Sequence, residues 1–200
     1  ENQFPLFEGR GYNPPDSTLE DLIHLHDTLG IDRVVFTQPS VYGVDNAAIL
    51  KGMNELNKKV PNKARGVCAI KMDATENFLQ ELHDQGIRGV RLNLDNKGGM
   101  PLELSEISRL EDKIKGFGWH LEYLFPGKDM VELEPVLANA SVPISIGHFA
   151  YQPAIAGIEA DGFKTLLRLV KDGNTWVKIS GANRVSETDL PPYDDVLPMA

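Results

Sequence analysis

The sequence has little of several features that would point to particular protein classes. It holds one cysteine, Cys68, so no disulfide can form within these 200 residues, and a reducing, cytoplasmic setting is predicted. No apolar run approaches the roughly 18 residues of a membrane span, which argues against a membrane protein. Positive charge is also scarce: 20 Lys and Arg against 29 Asp and Glu give a net charge of −9. The electrostatic field of a protein with this negative charge repels nucleic acid and anionic lipid, so neither is an expected partner.

Short apolar runs alternate with segments of helical periodicity along the whole chain. The pattern Ser17-Thr-Leu-Glu20 is typical of a helix-capping box, and residues 46–59 carry apolar side chains at helical spacing. The apolar runs are mostly continuous, which indicates strands covered on both faces, as in a parallel sheet. Six strands are predicted: Val34–Gln38, Arg65–Ile70, Ile87–Leu94, Trp119–Phe125, Val142–Ile146 and Thr175–Ser180.

This alternation fits two architectures of the α/β class, a doubly wound sheet and a TIM (β/α)8 barrel. No glycine-rich phosphate loop follows the first strand, which removes the main support for a nucleotide-binding doubly wound fold. A barrel needs eight strands and typically about 250 residues. We therefore predict one partial barrel domain over residues 1–200, with the first strand and the last βα unit missing.

In such a barrel the active site lies at the carboxyl ends of the strands. Arg91 and Asn93 alternate within the third strand and should face the same side. A buried charge is costly unless it is paired, so Arg91 either forms an internal ion pair with a helix carboxylate or binds an anion. Lys97, just beyond the same strand, and Arg184, after the sixth strand, favour anion binding, for which a guanidinium group is well suited.

Histidine offers one further candidate. His148 directly follows the fifth strand, where it is either a hydrogen-bonded structural residue or a functional one, and its place at the predicted barrel mouth favours function. The pair His24 and His26 lies in a predicted helix, where residues two apart point about 200° away from each other, so it does not predict a metal site. No other cluster has zinc spacing, and no metal cofactor is expected.

Five segments resemble, in order, the lactonase branch of the amidohydrolase superfamily, the branch that includes 2-pyrone-4,6-dicarboxylate hydrolase. They are FPLFEGRGYNPP at 4–15, QPSVYGVDN at 38–46, GVRLN at 89–93, GWH at 118–120 and WVKIS at 176–180, the last followed by Arg184. The resemblance runs along nearly the whole chain.

The resemblance implies a TIM-barrel hydrolase that opens a carboxylate-bearing lactone by attack of water on the ring carbonyl. His148 would stabilise the charge that develops on that carbonyl. By motif match the groups that hold the substrate, a small anionic lactone, are Tyr12, Ser40, Arg91, Lys97 and Arg184. The branch includes metal-independent members, which also favours chemistry without a metal.

The sequence departs from the family pattern at three places. The family's Asp-x-His-x-His segment would lie before Glu1, and its catalytic aspartate, the general base, would lie beyond Ala200. Tyr151 stands where the family commonly has an arginine, so one anion contact is lost. This last change points to a lactone related to, but different from, the dicarboxylate.

Two other functions remain open from the sequence. One is a zinc-dependent decarboxylase or hydrolase of a neighbouring amidohydrolase branch, which stoichiometric zinc would favour. The other is a non-catalytic module that binds small anions. An incomplete sheet exposes edge strands and apolar surface, so a module of this kind would pair with another chain, for example as a homo-oligomer.

Overall fold

The computed structural model describes residues 4–94 and 103–200. Its contacts divide the chain into two compact units, here called unit 1 (described residues 4–91) and unit 2 (described residues 92–94 and 103–200). The helices of unit 1 are α1 (Leu19–Leu29), α2 (Ala47–Lys59) and α3 (Glu76–Asp84). Those of unit 2 are α4 (Ile107–Ile114), α5 (Met130–Ala138) and α6 (Asp161–Lys171).

The strands confirm a parallel α/β sheet. They are β1 (Val34–Thr37), β2 (Ala64–Cys68), β3 (Ile87–Asn93), β4 (His120–Leu124), β5 (Ile144–Ile146) and β6 (Thr175–Val177). Their order in the sheet is the chain order, and β3 is divided between the units after Arg91. In unit 1, Thr37 lies opposite Val67 and Cys68 opposite Val90. In unit 2, Ile144 lies opposite both Leu121 and Thr175.

Burial follows the predicted pattern along the inner strands and departs from it at β1 and β6. Cys68, Val90, Leu121 and Ile144 are fully buried, as continuous apolar runs indicate. Val35 in β1 and Trp176 in β6 are 58% and 57% exposed, so these two strands have one open face. Of the helices in the described ranges, none combines the length and the apolar composition needed to cross a membrane.

Two helix boundaries differ from the sequence prediction by one or two residues. Thr18, rather than Ser17, caps α1: its hydroxyl accepts from the Asp21 backbone N–H, and the Asp21 carboxylate accepts from the Thr18 N–H. The sequence also predicts a helix over residues 102–115 that ends at Gly116, but a 3-10 turn extends the helical segment to Gly118, which adopts φ +66°. Such shifts arise where two residues close together in the sequence are both suited to cap the same helix end.

Asn46 joins the start of α2 to the end of β2. Its amide nitrogen donates to the Ala69 carbonyl at 2.8 Å, and its amide oxygen accepts from the Ala69 N–H at 3.0 Å. The side chain is buried, so both bonds are shielded from water. Asn46 thereby fixes the loop after β1 against the carboxyl end of the neighbouring strand.

Replacing Asn46 by alanine is expected to lower the free energy of unfolding by about 2 kcal/mol, because it removes three hydrogen bonds, two to Ala69 and one to the Val44 carbonyl, and leaves the two buried Ala69 backbone groups unpaired. Urea unfolding followed by circular dichroism measures the change. Asn54→Ala is the matched control, since Asn54 makes a long 3.5 Å hydrogen bond to Gln85 on a partly exposed surface. Equal stabilities for the two variants would contradict the role given to Asn46.

Candidate active site

The side chain of Gln38 stabilises the loop after β1, and Ser40 lies buried in this loop. The Gln38 amide donates to the Asp45 carbonyl at 2.7 Å and to the Gly43 carbonyl at 3.2 Å. These bonds close the chain into a short 3-10 turn that begins at Ser40. Ser40 therefore lies at the carboxyl end of a strand, as the sequence predicts, in a loop whose shape the Gln38 side chain fixes.

Arg91 reaches the same strand end from β3. Its Nη1 donates to the Gln38 carbonyl oxygen at 2.8 Å, and the side chain is half-buried. One of its hydrogen-bond partners is therefore the backbone of the loop after β1. Arg91 and Ser40 are thus brought to one strand-end loop in unit 1.

Tyr12 and Lys97 are two further residues that the family resemblance predicts to bind the substrate. The segment that carries Tyr12 is tied to the turn after Ser40, because the Phe7 N–H donates to the Val41 carbonyl at 2.8 Å. Tyr12 itself is 48% exposed, five residues beyond this contact. Lys97 lies outside the described residues.

His148 lies in unit 2 and has a hydrogen-bond partner on the neighbouring strand end. Its Nδ1 is 3.1 Å from Oγ of Ser180, three residues after β6. When the Ser180 hydroxyl donates to Nδ1, the neutral imidazole carries its proton on Nε2. The ring can then donate a hydrogen bond from Nε2 to a substrate oxygen.

Gly181 brings His148 and Arg184 together. A Cβ atom on this glycine would lie 2.7 Å from His148 Nδ1 and 3.2 Å from Arg184 Cδ, so both side chains pack against the bare Cα. The glycine also has φ +66°, a conformation that other residues rarely adopt. Arg184, at the end of the following 3-10 turn, is exposed. His148 and Arg184 therefore lie beside each other within unit 2.

Replacing Gly181 by alanine is expected to displace the His148 ring, because the added methyl group would occupy the space of Nδ1. We expect kcat for the proposed reaction to fall about 10- to 100-fold, the loss typical of a misplaced reacting group. Steady-state kinetics measures this. Gly173→Ala is the control, since Gly173 also has a positive φ but no neighbouring atom within 4 Å of its Cβ position. Equal activity of the two variants would contradict the packing role.

The backbone that carries His148 is left-handed over four successive residues. His148, Phe149, Ala150 and Tyr151 have φ angles of 50°, 53°, 54° and 51°. Each such non-glycine residue costs roughly 1–2 kcal/mol relative to the right-handed form. The turn sets the His148 and Tyr151 rings edge to face, with centroids 5.5 Å apart. Tyr151, where an arginine is common in the resembled family, thus presents a neutral phenol beside the histidine.

An ion pair that was not predicted from the sequence joins β4 to the residue that follows β6. Glu122 in β4 is buried and its carboxylate pairs with Nζ of Lys178, the residue after β6. The reasoning applied to Arg91, that a buried charge needs a partner, also applies to Glu122 and could have drawn attention to it. The partner could not be named from the sequence, because the two residues are 56 positions apart.

The Amidohydrolase family model matches residues 1–198, nearly the whole chain. The chain belongs to the amidohydrolase family. Among its relatives, 4-sulfomuconolactone hydrolase of Rhizobium radiobacter is 33% identical over 98% of this chain and 64% of that protein. A 2-pyrone-4,6-dicarboxylate hydrolase of Comamonas testosteroni is 30% identical over the full chain and 67% of that protein. The chain thus spans about two thirds of the length of these relatives.

A solved structure shares the fold of this amidohydrolase. It is a probable 2-pyrone-4,6-dicarboxylic acid hydrolase from Acinetobacter baumannii with citric acid bound, at 28% identity and a TM-score of 0.82. The alignment covers 99% of this chain and 72% of that one. The resemblance seen in the five sequence motifs is therefore confirmed at the level of family and fold.

Three other titratable residues discussed above are Cys68 in β2 and the histidines His24 and His26 in α1. Burial raises the pKa of the Cys68 thiol to about 12, so this cysteine stays protonated in the core. His24 and His26 lie in α1 as predicted, where His24 is exposed and His26 is buried. Within residues 4–94 and 103–200, no group of three or more His, Cys, Asp or Glu side chains is arranged to hold a metal ion.

Proposed function

We propose that this amidohydrolase opens the ring of a small anionic lactone by attack of water on the ring carbonyl. The observation that carries the proposal is the His148 imidazole, which contacts Ser180 through Nδ1 and packs with Arg184 around Gly181. The relatives support the same reaction class, because two of them are named as hydrolases of anionic lactones.

In the proposed mechanism the cations bind the acidic groups of the substrate and His148 acts on the carbonyl. The Ser180 hydroxyl donates to Nδ1, so Nε2–H points its donor at the carbonyl oxygen and stabilises the negative charge that develops there. A general base activates the water. The proposed substrate-binding groups are Tyr12, Ser40, Arg91, Lys97 and Arg184.

The setting of the site is also part of the proposal. We infer that the parallel sheet is part of a TIM (β/α)8 barrel, because strands and helices alternate in order and the strand ends carry the candidate residues. We infer a cytoplasmic location from the single buried thiol. The neutral Tyr151 beside His148 favours a lactone with fewer or differently placed acidic groups than a pyrone dicarboxylate.

The purified protein can be tested against a panel of lactones in a pH-stat, which measures the proton released when a ring opens. The panel comprises 4-sulfomuconolactone, 2-pyrone-4,6-dicarboxylate and the neutral parent 2-pyrone. We expect turnover of an anionic lactone and little of the neutral one. Absence of turnover throughout the panel would contradict the proposal. Stoichiometric zinc and release of CO₂ would instead favour the decarboxylase.

A further inference from the structure

We propose that Gln152 is a positioning residue that holds the left-handed turn of His148–Tyr151 and thereby orients the His148 ring. Gln152 follows the turn directly and is 4% exposed. Nothing about its sequence position marks it as part of a site. The catalytic part of this inference rests on the proposed function, whereas the structural part does not.

The turn needs external support because four successive residues without glycine occupy a backbone region that side chains disfavour. A short segment relaxes to the right-handed form unless surrounding contacts prevent it. His148 is the first residue of the turn, so relaxation there would carry its ring away from Ser180. The contacts that hold the turn therefore also determine where the imidazole lies.

Gln152 supplies the central contact through one nitrogen atom. Its Nε2 donates to the Gly127 carbonyl at 2.7 Å and to the Ala150 carbonyl at 3.4 Å. Gly127 lies in the loop between β4 and α5, and Ala150 lies within the left-handed turn. The amide thus ties the turn to the end of a neighbouring strand.

Two glycines leave room for this arrangement. A Cβ on Gly162, in the first turn of α6, would lie 2.2 Å from Gln152 Oε1, so any side chain there would displace the amide. A Cβ on Gly127 would lie 2.0 Å from the Tyr151 carbonyl oxygen. The loop, the turn and α6 therefore meet at close range around the Gln152 side chain.

The other side of the turn is anchored independently of Gln152. The Phe149 N–H donates to the Lys178 carbonyl at 3.1 Å, and the Phe149 ring is buried with Val185 and Val196. With these anchors in place, loss of the Gln152 bonds should alter the geometry of the turn without unfolding unit 2. The expected consequence is a misplaced His148 ring in a folded protein.

The test is Gln152→Glu, which keeps the shape of the side chain and replaces the donating nitrogen by an oxygen that repels both carbonyls. Carbon–proton NMR correlation spectra of the five histidine rings report their environments, and His148→Asn assigns the His148 signal. We expect this signal to shift while the other ring signals stay in place. We also expect kcat to fall about 10- to 100-fold with little change in KM, as for a misplaced reacting group.

Gln80→Glu is the matched control, because it makes the same chemical change on the exposed face of α3. Gly162→Ala is the second variant, in case Gln152→Glu fails to fold, and it should shift the His148 signal in the same way. A folded Gln152→Glu with the wild-type His148 signal would overturn the inference, as would a folded Gly162→Ala with that signal if Gln152→Glu does not fold. If the wild type opens no lactone, the NMR result still decides the positioning role, so failure of the proposed function is recognised separately.

Discussion

Replacing His148 by asparagine is expected to lower kcat for lactone opening about 100- to 1000-fold, the usual loss when one donor to a developing oxyanion is removed. The physical reason is the proposed role of the ring: with Ser180 on Nδ1, Nε2 would donate to the carbonyl oxygen of the substrate. KM should change little, because the interaction strengthens as charge develops in the transition state. Steady-state kinetics on the anionic lactone found in the panel gives both constants.

The control for this experiment is His24→Asn. His24 lies on the exposed side of α1, so its loss removes a histidine without touching the candidate site. Thermal unfolding of both variants shows that each is folded. A folded His148→Asn with wild-type kcat would contradict the catalytic role and would leave His148 as a hydrogen-bonded structural residue.

Replacing Arg91 by alanine is expected to lower kcat/KM for an anionic lactone about 10- to 100-fold, since hydrogen bonds to charged groups contribute roughly 1.5–3 kcal/mol. The guanidinium reaches the carboxyl end of β1, where it already donates to the Gln38 carbonyl. A neutral lactone should lose much less, because it offers no carboxylate or sulfonate to the cation. Comparing the two substrates therefore separates anion binding from a structural effect.

Arg88→Ala serves as the control for the Arg91 variant. Arg88 lies on the same strand but faces the opposite side, where it donates to the His83 and Ile87 carbonyls. The Arg88→Ala substitution should change kcat/KM for the anionic and the neutral lactone by the same factor. If Arg91→Ala also lowers the two rates by the same factor, Arg91 supports the loop after β1 and does not bind the substrate anion.

Much of the fold could be predicted from the sequence because local patterns carry it. The six apolar runs correspond to the six strands, and the helical spacing of residues 46–59 corresponds to α2. Boundaries were less predictable where adjacent residues compete for one role, as at Ser17 and Thr18. The open faces at Val35 and Trp176 depend on which neighbours a strand has, and a continuous apolar run does not encode that.

The candidate site could be predicted in part, through residue types that are unusual at strand ends. Arg91 and His148 stand out in this way, and each makes a specific hydrogen bond. The left-handed turn has no sequence signal, because Phe149, Ala150 and Tyr151 are residues that prefer right-handed or extended backbone. The support from Gln152 likewise depends on tertiary contacts with a loop 25 positions away.

In the proposed reaction, water attacks the ring carbonyl of an anionic lactone bound by this amidohydrolase. Ring opening in ¹⁸O-labelled water tests it most directly, with a lactone whose product is a stable hydroxy acid analysed by mass spectrometry. We expect the heavy oxygen to enter the newly formed carboxylate, and His148→Asn to slow its incorporation. Heavy oxygen in the hydroxyl group instead, or no opening of any anionic lactone, would contradict it.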